Sequence, residues 1–228
     1  IGRPEQYVTI RSGMVVGDFD PSRHDARECR QRLLPQGLRE RADQLCIVGT
    51  VARLFPNKGY EQLMDVMQRA MALASHLHFV WVGGGSHRGH YEAELSRRGL
   101  RDRVTLTGLL PPSEMPRVLA GIDMLAHTSQ WEGLPRAVVQ ALLMEKPAVS
   151  FAVDGAPEVV IPGTTGELAP LGDTHAFADA VVRLAHDRAL RDRYGSEGRR
   201  RCLTDFDHNV MVDSLDALYH HLGRTHLP

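Results

Sequence analysis

The sequence predicts an α/β protein with a doubly wound parallel sheet and additional helices at its C-terminal end. Two observations lead to this fold class. Between residues 45 and 170, short apolar runs alternate with amphipathic helical patterns, as in parallel strands joined by crossover helices. The chain has 228 residues, of which 43% are hydrophobic, and this is enough to bury the core of such a domain.

The strands of the predicted sheet are the short apolar runs. The segment YVTI predicts a first strand at residues 7–10, and six more runs follow at residues 45–52, 77–83, 103–108, 123–129, 147–153 and 166–170. The first helix begins near Gly59, and its apolar residues recur at the spacing of a buried face as far as Met71. Further helices are predicted at residues 88–98, 113–121, 134–144, 174–187, 188–202 and 208–222.

Composition narrows the class of function. Lys and Arg number 27 against 28 Asp and Glu, so we expect no nucleic-acid partner, and any anion site must be local. The three cysteines show no CxxC spacing, which favours a reducing, cytoplasmic location. No apolar run approaches the roughly 18 residues of a membrane span. The basic run Arg199–Arg201 predicts a solvated helix face, where a peripheral enzyme would touch the inner face of a membrane.

The loop TVARLFPNKG, which joins the strand at 45–52 to the first helix, carries Arg53 and Lys58. In doubly wound sheets, ligands bind beyond the carboxyl ends of the strands, where helix N-termini direct their amides outward. Two fixed positive charges beside such amides could hold a pyrophosphate. The alternative is that both are solvated surface cations.

Two later loops offer further candidate residues. The glycines at 83–85 allow a close backbone approach to a ligand or simply a flexible turn, and they do not complete a GxGxxG pattern. In the segment TSQWEGLPRAVVQALL, Glu132 precedes a predicted helix, and Gln140 falls on about the same side two turns later. Glu132 either caps that helix or accepts hydrogen bonds from sugar hydroxyls.

Five segments together resemble a known family. GTVARLFPNKGYEQLMDV, FVWVGGG, VTLTG, SQWEGLPRAVVQALLMEKPAV and DGAPEVVIPGTTGELAPLGD match, in order and spacing, the C-terminal nucleotide-sugar-binding domain of retaining GT-B glycosyltransferases of family 4, or group 1. TIRSGMVVGDFDP resembles the interdomain segment of that family. The resemblance implies a Rossmann-like domain that forms the C-terminal half of a GT-B fold, and a hexosyl-type transferase activity.

The resemblance also implies site roles. Arg53 and Lys58 would neutralise the donor diphosphate as the glycosidic bond breaks, and Glu132 would contact the sugar hydroxyls. The amides of Gly133 and Leu134 would face the sugar and phosphate, and Gln140 stands where the family has a glutamate on the ribose. The base would lie near Gly83, Gly108 and Leu109. The resemblance implies that no metal or other cofactor is needed. The sequence has two Asp-x-Asp triplets, at residues 18–20 and 205–207, and neither follows a strand that could deliver it to the nucleotide site.

Two departures from the family pattern are visible in the sequence. Gln140 replaces a carboxylate by a carboxamide, which offers one neutral acceptor, so ribose binding is expected to be weaker or differently arranged. Glu145 stands where the family usually has a glycine that ends the helix. If Glu145 adopts a left-handed conformation, the cost is on the order of 1 kcal/mol.

The resemblance divides the chain into an interdomain segment with a first strand, residues 1–20, and a nucleotide-sugar-binding domain, residues 21–228. The family's acceptor-binding domain, with its catalytic histidine, would precede residue 1. We therefore expect this part to bind donor without completing transfer, and we assign that role to none of its 12 histidines.

Two other functions remain open at this point. A nucleotide-sugar 2-epimerase shares the two-domain architecture, but the loop around Glu132 argues against it. A non-catalytic interaction domain of the same fold is the second, with Gln140 as its clue, and donor titration separates it from an enzyme.

Overall fold

Six parallel strands form the central sheet in the order β3-β2-β1-β4-β5-β6. The computed structural model describes residue 3 and residues 7–226. The strands are β1 (Cys46–Val51), β2 (Leu77–Val82), β3 (Val104–Gly108), β4 (Met124–His127), β5 (Ala148–Phe151) and β6 (Gly166–Ala169). The strand order reverses between β1 and β4, which is where doubly wound sheets open a crevice for ligands. The predicted fold class is confirmed.

The helices cover both faces of the sheet, which explains why its strands read as continuous apolar runs. One face packs against α2 and α7, and the other against α1, α4, α5 and α8. The helices are α1 (Ala26–Leu33), α2 (Tyr60–Leu73), α3 (Arg88–Arg97), α4 (Met115–Ala120), α5 (Arg136–Leu143), α6 (Ala156–Val159), α7 (Thr174–His186), α8 (Arg188–Asp205) and α9 (His208–His226). Within residue 3 and residues 7–226, none of them combines the length and apolar character needed to cross a membrane.

Aspartates define the boundaries of the C-terminal helices. The Asp173 carboxylate accepts a hydrogen bond from the Ala176 amide at 2.9 Å at the start of α7. Asp187 accepts one from the Leu190 amide at 2.8 Å at the start of α8 and also ends α7. Such caps satisfy amides that have no partner within the helix. They place the break between α7 and α8 at the predicted position.

The predicted first strand is wrong. Residues 7–13 form no regular structure, and Tyr7 and Val8 are 61% and 63% exposed. Met14 instead forms a single parallel bridge with Asp207, in which the Met14 amide donates to the Phe206 carbonyl at 2.9 Å. A β-prone segment needs a strand beside it, and the bridge at Met14 lies at the α8–α9 junction rather than at a sheet edge. Residues 1, 2 and 4–6 of the predicted segment 1–20 lie outside the described residues.

The basic run in α8 is only partly the solvated face that the sequence predicts. Arg199 is directed inward and donates to the carbonyls of Phe19, at 2.7 Å, and Leu143. Arg201 donates to the Glu158 carbonyl at 3.0 Å, whereas Arg200 is exposed. Arginine can satisfy several carbonyls with one planar group, which explains how two of the three hold neighbouring segments in place.

The end of α5 is a Schellman turn with a glutamate at its left-handed position. The Lys146 amide donates to the Ala141 carbonyl at 2.8 Å, and the Glu145 amide donates to the Leu142 carbonyl at 2.9 Å. The φ angle of Glu145 is 59°. Glycine is the usual residue there because a Cβ atom is unfavourable in this conformation. The turn therefore keeps its geometry at a cost in backbone energy.

Replacing Glu145 by glycine is expected to raise the free energy of unfolding by about 1 kcal/mol, since the strain is removed. The Glu145 side chain is exposed, so few contacts are lost. Urea denaturation of Glu145→Gly and Glu145→Ala measures the effect, and the alanine variant should resemble the parent because its Cβ keeps the strain. An equal gain in both variants would contradict the backbone explanation.

Candidate functional site

The candidate site lies at the carboxyl edge of the sheet, where the strand-to-helix loops converge. Three of these loops carry the argument: the first loop (residues 52–59) follows β1, the fourth loop (residues 128–135) follows β4, and the fifth loop (residues 152–155) follows β5. Because β1 and β4 are neighbours, their loops leave the sheet side by side. Residues far apart in the sequence thus meet at this edge.

The first and fourth loops are held together through their backbones. Gly59 has a φ of 70°, and a Cβ atom added there would lie 2.0 Å from the Thr128 carbonyl oxygen. The Thr128 hydroxyl donates to the Lys58 carbonyl at 3.0 Å, and the Gln130 amide donates to the Asn57 carbonyl at 3.0 Å. Only glycine permits both this conformation and this approach.

The fourth and fifth loops are joined in a similar way. A Cβ atom at Gly155 would lie 2.1 Å from the Gly133 carbonyl oxygen. The Asp154 carboxylate accepts a hydrogen bond from the Glu132 amide at 2.6 Å, and Asp154 itself has a φ of 41°. Non-glycine residues in this region are uncommon and cluster at functional sites. The backbone of Glu132 is thus fixed from the fifth loop.

An ion pair between Lys58 and Glu132 is the centre of the site. Lys58 Nζ lies 2.5 Å from Glu132 Oε1, and the two side chains are 16% and 18% exposed. Burial acts to raise the pKa of Glu132, but the hydrogen bond from Lys58 and other neighbours outweigh it and hold that pKa below its ordinary value. Glu132 is therefore a carboxylate near neutral pH.

His127, the last residue of β4, lies behind this ion pair. Its Nε2 atom is 3.6 Å from Glu132 Oε1, and its side chain is 6% exposed. Burial lowers the pKa of His127, the Glu132 carboxylate acts to raise it, and the Lys58 ammonium acts to lower it. The net effect is a decrease, so the ring is neutral near neutral pH.

Arg53 stands apart from the Lys58–Glu132 pair. Its side chain is exposed, and its guanidinium lies over the Phe55 ring, 5.0 Å from the ring centroid. The ring fixes the direction of the guanidinium through a cation–π contact without neutralising its charge. The sequence places both cations in one loop, and the structure gives only Lys58 a carboxylate partner within the described residues.

The predicted base-binding residues lie at the ends of β2 and β3. The Gly83 amide donates to the Gly108 carbonyl at 3.0 Å, and both glycines have positive φ angles. Leu109 is 82% exposed. The Arg88 guanidinium lies 3.3 Å from where a Cβ atom of Gly108 would stand. This leaves an exposed apolar side chain and a cation beside two half-buried turns.

Gly133 is exposed and Leu134 is half-buried in the fourth loop, and α5 begins two residues after Leu134. Gln140 is on α5 and lines a cavity of about 770 Å³ together with Arg136, Pro112 and the segment around Phe19. Lys58 and Glu132 are not among the residues that line it. The structure thus places Gln140 in a compartment next to the loops and does not bring it into the ion pair.

Three residues near the site were not predicted from the sequence: His127, Asp154 and Arg88. The available signal for His127 was a polar residue that ends an apolar strand at the carboxyl edge. For Asp154 it was an Asp-Gly pair directly after a strand. Among the described residues, no group of three or more His, Cys, Asp or Glu side chains is arranged to hold a metal ion.

The fold and the converging loops define a doubly wound α/β domain with a cluster of charged side chains at its switch point. The model of the group 1 glycosyl transferases matches residues 39–201. The chain therefore belongs to this family, as the motifs of the sequence indicate.

Known proteins of the same fold include transferases. The chain is 30% identical over 188 residues to alpha-D-kanosaminyltransferase of Streptomyces kanamyceticus, a match that covers 82% of this chain and 49% of the relative. The crystal structure of sucrose-phosphate synthase from Thermosynechococcus elongatus is 29% identical, with a TM-score of 0.82, and the match covers 95% of this chain and 52% of that one. Anabaena HepE, in complex with UDP and glucose, is 26% identical, with a TM-score of 0.80 and coverage of 96% and 58%. The chain spans about half the length of the curated relatives it matches.

Replacing Gly59 by alanine is expected to reduce the free energy of unfolding by more than about 2 kcal/mol, because the new Cβ would meet the Thr128 carbonyl in an unfavourable conformation. The matched control is Gly89→Ala in α3, where no atom lies within 4 Å of the new Cβ. That variant should be at least as stable as the parent, because Gly89 is in the first turn of α3 and alanine favours a helix. Urea denaturation tests both, and a Gly59→Ala variant as stable as the parent would show that the loops do not approach this closely.

Proposed function

We propose that this chain is the donor-binding part of a retaining, hexosyl-type glycosyltransferase of family 4, with a nucleoside diphosphate sugar as its substrate. The observation that carries the proposal is the ion pair of Lys58 and Glu132, which joins a cationic loop and an acidic loop at the switch point of the sheet. Family membership and the likeness to HepE, whose crystal contains UDP and glucose, support it.

The positive and negative charges of the site match the two sides of a sugar–diphosphate bond, with the cations on the diphosphate and the carboxylate on the sugar. Arg53, which is exposed, and Lys58, which is mostly buried, would face the diphosphate and stabilise the negative charge that grows on it as the bond breaks. The Glu132 carboxylate would accept hydrogen bonds from sugar hydroxyls, and the amides of Gly133 and Leu134 would donate to sugar and phosphate oxygens. In a retaining transfer, the departing phosphate would assist the acceptor on the same face of the sugar.

The nucleoside end of the donor would extend from the ion pair towards α5. The cavity of about 770 Å³ that Gln140 lines is of the size typical of small-molecule sites. The ribose would face Gln140, and the base would contact the turns at Gly83, Gly108 and Leu109. The diphosphate would then lie beside the two loops that Gly59 and Thr128 join.

The remaining parts of the proposal concern the whole protein. The acceptor would be held by an N-terminal domain of the same protein, and this part alone would not complete transfer. We propose a metal-independent reaction in which Arg53 and Lys58 carry the charge on the diphosphate, without another cofactor. We also propose a cytoplasmic location, with any membrane contact peripheral, at its inner face.

A nucleotide that binds the folded chain should raise its midpoint of thermal unfolding. We expect one of UDP, GDP and ADP to do so, and Arg53→Ala to remove most of that shift, because a charged contact with phosphate contributes about 1.5–3 kcal/mol. Arg53→Ala is the cleaner test, since Lys58→Ala also leaves Glu132 without its cation.

The control for this experiment is Arg69→Ala, which removes an exposed arginine that pairs with Asp179 between α2 and α7. It should keep the full nucleotide shift. If no nucleotide raises the midpoint at millimolar concentration, the donor site is contradicted, and a non-catalytic interaction domain becomes the better interpretation.

Restoring a carboxylate at residue 140 should strengthen ribose binding. Gln140→Glu is expected to increase the affinity for the nucleoside diphosphate about tenfold, because a carboxylate accepts from both ribose hydroxyls with charge assistance. Calorimetric titration with the nucleotide and its 2′,3′-dideoxy analogue measures this, and the analogue should show no gain. An equal gain with both would place the new carboxylate away from the ribose.

A further inference from the structure

The ring of His127 contains a buried nitrogen, Nε2. Within the part of the chain that the structure describes, this nitrogen has no hydrogen-bond partner, although the ring is held at the end of β4 beside the most charged part of the site. An unpaired buried nitrogen is unfavourable in a folded protein, and each case requires a physical reason. A packing role alone does not give one, because an apolar side chain would fill the space without the unpaired atom.

The position of Nε2 relative to the Glu132 carboxylate suggests a role for this nitrogen. It faces Glu132 Oε1 at 3.6 Å, beyond the normal N···O hydrogen-bond distance of about 2.9 Å. The same oxygen already accepts from Lys58 Nζ at 2.5 Å. Lys58 and His127 are thus both candidate donors to this oxygen, and of the two only the lysine lies within hydrogen-bond distance of it.

We propose that His127 is a positioning residue for Glu132. When the diphosphate of the substrate binds Lys58, His127 replaces Lys58 as the hydrogen-bond donor to the Glu132 carboxylate. The inference rests on the proposed function. A phosphate beside Lys58 attracts the ammonium, and Oε1 then loses part of its charge-assisted bond. If His127 carries its proton on Nε2, the distance from Nε2 to Oε1 needs to shorten by about 0.7 Å for a hydrogen bond that replaces the one from Lys58.

The electrostatic surroundings of His127 fit this exchange. The charged groups that act on the ring are Glu132, from the fourth loop, and Lys58, from the first. Burial lowers the pKa of His127, so the ring is neutral and lies beside the ion pair without repelling Lys58. As the ammonium is shared with phosphate, the His127 N–H keeps the carboxylate directed at the sugar hydroxyls.

The test compares binding of a nucleoside diphosphate with binding of its sugar conjugate by calorimetric titration. The probes are UDP with UDP-glucose, GDP with GDP-mannose, and ADP with ADP-glucose, in the parent chain, His127→Leu and His127→Gln. In His127→Leu we expect the sugar conjugate to lose about tenfold in affinity relative to the diphosphate, because the carboxylate is no longer held. His127→Gln should retain the parent ratio, because its amide presents an N–H at similar reach.

Thermal unfolding without ligand separates positioning from a structural role. His127→Leu should leave the midpoint largely unchanged, because Nε2 has no hydrogen bond to lose. The matched control is His78→Leu on β2, a residue that is 2% exposed and whose Nε2 lies 2.8 Å from the Thr105 hydroxyl. This control should lower the midpoint and leave the binding ratio unchanged.

The outcomes distinguish the inference from the function on which it rests. If the parent binds a sugar conjugate and His127→Leu keeps the parent ratio of affinities for sugar conjugate and diphosphate, the positioning role is overturned while the donor site stands. The same holds if His127→Gln behaves like His127→Leu. If the parent binds none of the six probes, the proposed function is overturned, and the inference with it.

Discussion

The contact between Gly59 and the Thr128 carbonyl is the constraint on which the site depends. It brings the loop after β1 against the loop after β4, at the point where the sheet reverses its winding. From there α2 leaves towards one face of the sheet and α5 towards the other. A side chain at residue 59 would separate the loops, and with them Lys58 and Glu132. The position of two charged groups is thus set by the absence of one carbon atom.

The Lys58–Glu132 pair gives the site opposing charges before any ligand arrives. Each charge offsets part of the desolvation of the other, and both side chains are mostly buried. Arg53 is held by an aromatic ring instead, and its charge stays available at the surface. An anion that approaches the first loop therefore meets Arg53, which has no carboxylate partner among the described residues, and Lys58, which it must share with Glu132. This difference makes the two cations unequal, although the sequence presents them as a pair.

The fold could be predicted largely from the sequence because hydrophobic periodicity depends on local geometry. α2 and the six strands of the sheet were visible in this way, and Asp187 marks the break between two helices. The first strand was wrong because pairing depends on what lies beside YVTI, which the sequence does not show. Lys58 and Glu132 were found by their places in loops. His127 and Asp154 were not, because their relevance comes from distances across the sheet edge.

The bridge between Met14 and Asp207 has a mechanical consequence. Its two hydrogen bonds, from the Met14 amide to Phe206 and from the His208 amide to Met14, join parallel segments where the chain enters and leaves the sheet-bearing part of the molecule. A force that pulls these segments apart along the chain loads both bonds at once, in shear. The two bonds therefore resist separation of these segments together rather than one after the other.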